Sequence, residues 1–118
     1  MKVLAISVNG NVQLQSIDES DKLTALQELV GGNVERITLT EHTDLLFNEE
    51  GKFEEGHKAN RIAGRLLRHF DIPLEPGDYI AGNAAIVGTD GPEWISAPDS
   101  AADTLAFLGF EVTQEDEA

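Results

Sequence analysis

Lys2-Val3-Leu4-Ala5-Ile6-Ser7-Val8-Asn9-Gly10-Asn11-Val12-Gln13-Leu14-Gln15-Ser16-Ile17 is the stretch on which the fold turns. Leu4, Ile6 and Val8 alternate with Val3, Ala5 and Ser7, and Val12 and Leu14 alternate with Gln13 and Gln15. Successive side chains in a strand point to opposite faces, so this alternation predicts two half-buried strands, over 2–8 and 11–17. Asn9-Gly10 between them is a short-range hairpin signal, because both residues tolerate the positive φ of a two-residue type I′ turn. A chain that opens with an antiparallel hairpin is not heading for a purely parallel or all-helical architecture.

Outward from the hairpin, the pattern alternates between the two periods. Asp18-Glu19-Ser20-Asp21 is a capping cluster before Leu23, Leu26, Leu29 and Val30, which recur at helical spacing, and Gly31-Gly32 is a left-handed stop. Val34 to Thr40 reads as a strand, Glu41-His42-Thr43-Asp44 as a turn, and Leu45-Leu46-Phe47 as a short strand running into the polar turn Asn48-Glu49-Glu50-Gly51. Asn60 is placed to cap a helix ending near Phe70, with Ile62, Leu66, Leu67 and Phe70 on its buried face. Pro73 and Pro76-Gly77 open a loop. Tyr79-Ile80-Ala81 and Ala84-Ala85-Ile86-Val87 read as two strands, or as one bent at Gly82-Asn83, and Thr89-Asp90-Gly91-Pro92 as a loop. Pro98 to Leu108 is a third helix, with Ala102, Leu105 and Leu108 on one side. The expectation is one small α+β domain over residues 1–112, a mainly antiparallel sheet with about three helices, and an acidic, disordered tail over 113–118.

Composition narrows the class. The 118 residues leave room for one ordinary core. Nothing approaches the roughly 20 consecutive apolar residues of a membrane-spanning helix, and the apolar run at the N-terminus breaks too early for a signal peptide. There is no cysteine, which removes disulfides, thiolate metal sites and cysteine nucleophiles, and the expected location is the cytoplasm. Twenty-two carboxylates face eight basic side chains, a net charge of −14. Such a field repels nucleic acid and anionic membrane.

Several short motifs in the middle of the chain resemble a known family. Leu26-Gln27-Glu28-Leu29-Val30-Gly31-Gly32 before a strand, Asn48-Glu49-Glu50-Gly51-Lys52, Asn60-Arg61-x-Ala63, Asp78-Tyr79-Ile80-Ala81-Gly82-Asn83-Ala84 and Ile86-Val87-Gly88 occur in that order. Their order and spacing are similar to those of a family of small phage, plasmid and bacterial proteins known only as a domain of unknown function. The resemblance spans roughly residues 20–88. It implies a phage or mobile-element accessory protein in a bacterial cytoplasm and carries no catalytic residues with it.

The charge layout is the main functional clue. Lys58, Arg61, Arg65 and Arg68 follow one another at spacings of three, four and three, within roughly one quarter of a helical surface. Residues 57–69 contain four bases and no acid, whereas residues 71–118 contain eleven acids and no lysine or arginine. Arginines so arranged suit a carboxylate or phosphate; within an acidic chain they also serve to offset neighbouring carboxylates. Trp94 either caps the core beneath a loop or anchors a partner. Glu49-Glu50 and Glu54-Glu55 are adjacent pairs without calcium-loop spacing, and His42, His57 and His69 are too far apart for a histidine metal motif. No cofactor or metal is expected, and the signatures of nucleophile elbows, phosphate loops and dinucleotide folds are missing. The leading expectation is binding to a host protein, with self-association a further option. The alternatives are a DNA-mimicking anti-restriction protein and a binder of a small anion such as a nucleotide. High-salt adaptation is a blander account of the acidity.

Overall fold

The computed structural model describes residues 1–115. Its elements in chain order are β1 (Lys2–Ile6), β2 (Val12–Ser16), α1 (Lys22–Val30), β3 (Val34–Thr40), β4 (Thr43–Asn48), α2 (Arg61–His69), β5 (Ala84–Asp90), β6 (Glu93–Ile95), α3 (Asp99–Phe107) and β7 (Val112–Gln114). The strands form one sheet in the order β3-β4-β5-β1-β2-β7, with β6 continuing beside β5 beyond the start of β1. All pairings are antiparallel except β2 with β7. This is the α+β class expected, with three helices.

Strand alternation distributes the core over both faces of the sheet. Leu4 and Ile6 of β1, Leu45 of β4 and Ile86 of β5 point to one side, where Ile62 and Leu66 of α2 and Leu105 of α3 meet them. Val3, Leu46, Ala85 and Val87 point to the other, against Leu26 of α1. The central strands β4 and β5 are therefore apolar on both faces, as strands covered on both sides must be.

The N-terminal hairpin forms, with a different turn. Ile6 pairs with Val12 and Leu4 with Leu14. A two-residue Asn9-Gly10 turn would instead set Ile6 opposite Gln13 and Leu4 opposite Gln15. A one-residue slip moves a strand's side chains to the opposite face, so the apolar pairs select a three-residue loop. Ser7 and Asn11 close it, with the Gly10 N–H donating to the Ser7 carbonyl at 3.0 Å and only Gly10 at positive φ.

Other departures have local causes. Thr43 and Asp44 belong to β4 rather than to a turn. Tyr79-Ile80-Ala81 is not a strand; Ala81 makes one isolated bridge to Ala59. Its partner segment enters α2 at once, which leaves no ladder to extend. Residues 89–92 are no loop, since β5 continues to Asp90 and Gly91-Pro92 turns it into β6. Thr113 and Gln114, assigned above to the tail, lie in β7, and the Glu115 N–H donates to the Leu14 carbonyl at 3.1 Å. The expected disorder of residues 116–118 falls outside the described residues. The capping cluster is also divided: the Asp18 carboxylate accepts from the Ser20 N–H and hydroxyl to start a 3₁₀ turn, and the hydroxyl first, then the N–H, holds its pKa below the usual carboxylate value.

α2 ends in a Schellman motif: the Ile72 N–H donates to the Leu67 carbonyl and the Asp71 N–H to the Arg68 carbonyl. Its left-handed position is held by Asp71 at φ 55, the one non-glycine residue at positive φ among the described residues. Replacing Asp71 with Gly is expected to raise stability by about 0.5–1 kcal/mol, read as a higher urea midpoint with unchanged slope. A lower midpoint would show that the aspartate side chain contributes more than its backbone strain costs.

Candidate functional site

The sequence motifs converge in space on the segments that lead into α2 and β5. Asn60 is the knot. Its side-chain oxygen caps α2 by accepting from the Ala63 N–H at 3.0 Å, and its amide donates to the Ile6 carbonyl at 3.0 Å and the Gly82 carbonyl at 2.9 Å. Asn60 is 3% exposed. It ties the end of β1, the start of α2 and the approach to β5 together, so its role is structural. Asn48 ties down the next motif, accepting from the Glu50 N–H and donating to Glu54. A Cβ on Gly51 would stand 2.8 Å from the Ala81 carbonyl oxygen, which joins the second motif to the fourth by close backbone approach.

On this frame the turn after β4 places a cluster at the surface. The Lys52 ammonium pairs with the Asp78 carboxylate and lies 5.2 Å from the centre of the Tyr79 ring. The His57 ring stacks on Tyr79 with centroids 5.8 Å apart. Its Nδ1 lies 3.1 Å from the Glu54 carbonyl oxygen, which only accepts, so Nδ1 carries a proton, and Nε2 is hydrogen-bonded with the Tyr79 hydroxyl at 2.6 Å. Beside them Phe53 is 87% exposed. A hollow of 310 Å³ lies between Phe53, Tyr79, Phe47, Leu74 and Ile37, and it shares Leu74, Asp78, Tyr79 and Ile80 with a wider cleft of 570 Å³ between α2 and the loop 71–80. Leu67, Ile72, Leu74 and Ile80 form the apolar part of that cleft, Arg61 and Arg68 stand on the helix side, and Glu75 and Asp78 on the loop side. The prolines at 73 and 76 restrict φ in the loop wall.

These positions can be set against the residues singled out from the sequence. Arg61, Arg65 and Arg68 share the exposed face of α2, as their spacing requires. Lys58 does not join them, because the helix begins at Arg61; it lines a separate hollow with Glu54, Glu55 and His57. Among the described residues none of the four makes an ion pair, so the reading in which they neutralise neighbouring carboxylates finds no pair to rest on. Trp94 lies in β6, half-buried against the second core cluster, and its indole N–H donates to the buried Asp44 carboxylate at 3.3 Å. Trp94 therefore packs on the core, with part of its side chain left in solvent. No group of three or more His, Asp or Glu side chains suited to a metal occurs among the described residues.

Comparison with known proteins places this arrangement. A family model described as a domain of unknown function, DUF3846, matches residues 1–108. The chain belongs to that family. The match extends past the motif-bearing region to take in the N-terminal hairpin and α3, so the DUF3846 domain includes all three helices and six of the seven strands. No curated protein and no solved structure matches the chain. Phe53, Tyr79 and His57 are the surface residues that charge arithmetic missed in this DUF3846 domain. Phe53 had a sequence signal, as an aromatic residue inside an otherwise polar turn, Glu49-Glu50-Gly51-Lys52-Phe53-Glu54-Glu55.

Proposed function

We propose that this chain is a phage or mobile-element accessory protein of the bacterial cytoplasm that acts by binding a host protein. The observation that carries the reading is the exposed Phe53, which lines one hollow with Tyr79, while Tyr79 also lines the neighbouring cleft edged by arginine. Aromatic residues and arginine are the types enriched where proteins bind one another. A contact of standard size needs roughly 800 Å² per partner, a small share of the chain's 7168 Å². No helix among the described residues is long and apolar enough to cross a membrane.

The test is affinity capture from bacterial lysate with the wild type and with a Phe53→Ser variant. The wild type is expected to retain a specific host protein that the variant loses. Melting temperatures should stay close, because substitutions on an exposed surface change stability by about 0.5 kcal/mol or less. Equal retention by both would remove this surface from the reading, and repeated capture of nothing by the wild type would remove the reading itself.

A second reading is supported by the cleft alone. Arg61 and Arg68 flank its mouth without an ion pair among the described residues, which suits a small carboxylate or phosphate ligand. A thermal-shift series with nucleotides is expected to raise the melting temperature of the wild type but not of Arg61→Ala/Arg68→Ala. No shift at millimolar ligand would sink it.

A further inference from the structure

α2 and α3 lie on the same face of the sheet. Leu66 of α2 and Phe70 at its C-terminal end, with Ala101 and Thr104 of α3, line one hollow between the two helices. Their outward faces carry opposite charge. At 100° per residue, Arg61, Arg65 and Arg68 fall within about 60° of one another on α2. Asp99 and Asp103, one turn apart, lead the exposed stripe of α3, which ends at Phe107. Phe107 is 80% exposed, and its ring lies 6.1 Å from that of His69 on α2. Among the described residues no arginine of the first stripe and no aspartate of the second has an ion-pair partner.

A basic stripe and an acidic stripe side by side in one layer do not satisfy each other. They do satisfy a second copy rotated by a half-turn. We propose that two copies of this chain dock through this layer about a two-fold axis, α2 of one protomer against α3 of its partner, with the two Phe107 side chains as the apolar anchors. The two-fold makes the interface self-complementary, since every Arg–Asp contact occurs twice. Charge complementarity singles out a second copy: the surface offers both signs in the order that its own rotated image needs. The net charge of −14 opposes approach at long range. Salt screens that repulsion beyond a Debye length of about 8 Å, whereas pairs in contact are screened much less. This inference does not rest on Phe53, whose hollow is lined by no residue of α2 or α3.

Sedimentation of the full chain from micromolar to millimolar concentration tests it. The wild type is expected to form dimers. Arg65→Glu/Arg68→Glu and Asp99→Arg/Asp103→Arg should each weaken association about tenfold or more, and Phe107→Ser should do the same. An equimolar mixture of the two charge variants should dimerise again, because in that pair both halves of the interface are complementary. Both variants keep a large negative net charge, so renewed association reports the local pattern and not bulk attraction. If a double variant does not fold, the single substitutions Arg65→Glu and Asp103→Arg take its place in the same mixing. A wild type that stays monomeric, reversal variants that dimerise as well as the wild type, or a mixture that stays monomeric would each overturn the proposal.

Discussion

Asn60→Ala is expected to lower the unfolding free energy by about 3 kcal/mol, the sum of a lost helix cap and of one buried and one part-buried carbonyl left without their donor. In a domain of this length that corresponds to a fall in melting temperature of about 10 °C or more. The argument rests on how many partners one buried side chain serves: the Ala63 N–H at the start of α2, the Ile6 carbonyl at the end of β1 and the Gly82 carbonyl before β5. Alanine fills none of these roles, and at 3% exposure water does not replace them. Asn60→Asp separates the contributions. Aspartate keeps an acceptor for Ala63 but turns its second carboxylate oxygen toward two carbonyl oxygens, so it should be no more stable than alanine. Chemical denaturation of the three proteins checks both points. An aspartate variant as stable as the wild type would mean that the cap is the whole of Asn60's role.

Gly88→Ala should cost about 2–3 kcal/mol, as expected for overpacking against backbone that has little room to move. A Cβ at position 88 would fall on the Ser96 carbonyl oxygen, well inside van der Waals contact, and would also stand 3.1 Å from the Ile95 side chain. Gly88 pairs with Thr43 on one side and Ile95 on the other. Relief therefore requires β6 to move off β5, which would loosen the Trp94–Asp44 hydrogen bond and the Ala97 N–H to Lys2 carbonyl bond that follow β6. The expected signature is a lower denaturation midpoint together with a red shift of the emission of Trp94, the single tryptophan in the chain. An unfolding free energy within about 0.5 kcal/mol of the wild type would show that the Ser96 segment yields at little cost.

How far the fold was legible depended on whether an element's signal lay within its own residues. The helices were, because an amphipathic stripe, a cap and a stop lie within one segment: Asn60 to Phe70 was read almost to the residue. The hairpin was legible as a pairing but not as a turn. The dipeptide Asn9-Gly10 favours one loop length, and the apolar pairs Leu4–Leu14 and Ile6–Val12 impose another. Elements whose partners are distant were misread. β6 has three residues and exists only because β5 overshoots β1, while Tyr79 to Ala81 has strand-like composition but no strand to lie against. For the candidate site, the arginine stripe of α2 was visible through helical periodicity. Lys58 seemed to extend that stripe only as long as the helix start was unknown. Trp94 offered two readings, and its hydrogen bond to Asp44, fifty residues away, supports the packing one.

Class, charge polarity and the faces of the helices are local or additive properties, and they were readable along the chain: an acidic α+β domain with one basic helical stripe, matched by its family model over residues 1–108. Long-range register decided the rest. Three things depended on it: that α2 and α3 share a layer with opposite charges outward, that three motifs meet around Asn60 and Asn48, and that Phe53 is left in solvent beside Tyr79. The physical reason is that burial depends on which segments the sheet brings together. Charge and periodicity say what a residue would prefer, and only the packed neighbours say whether that preference is met.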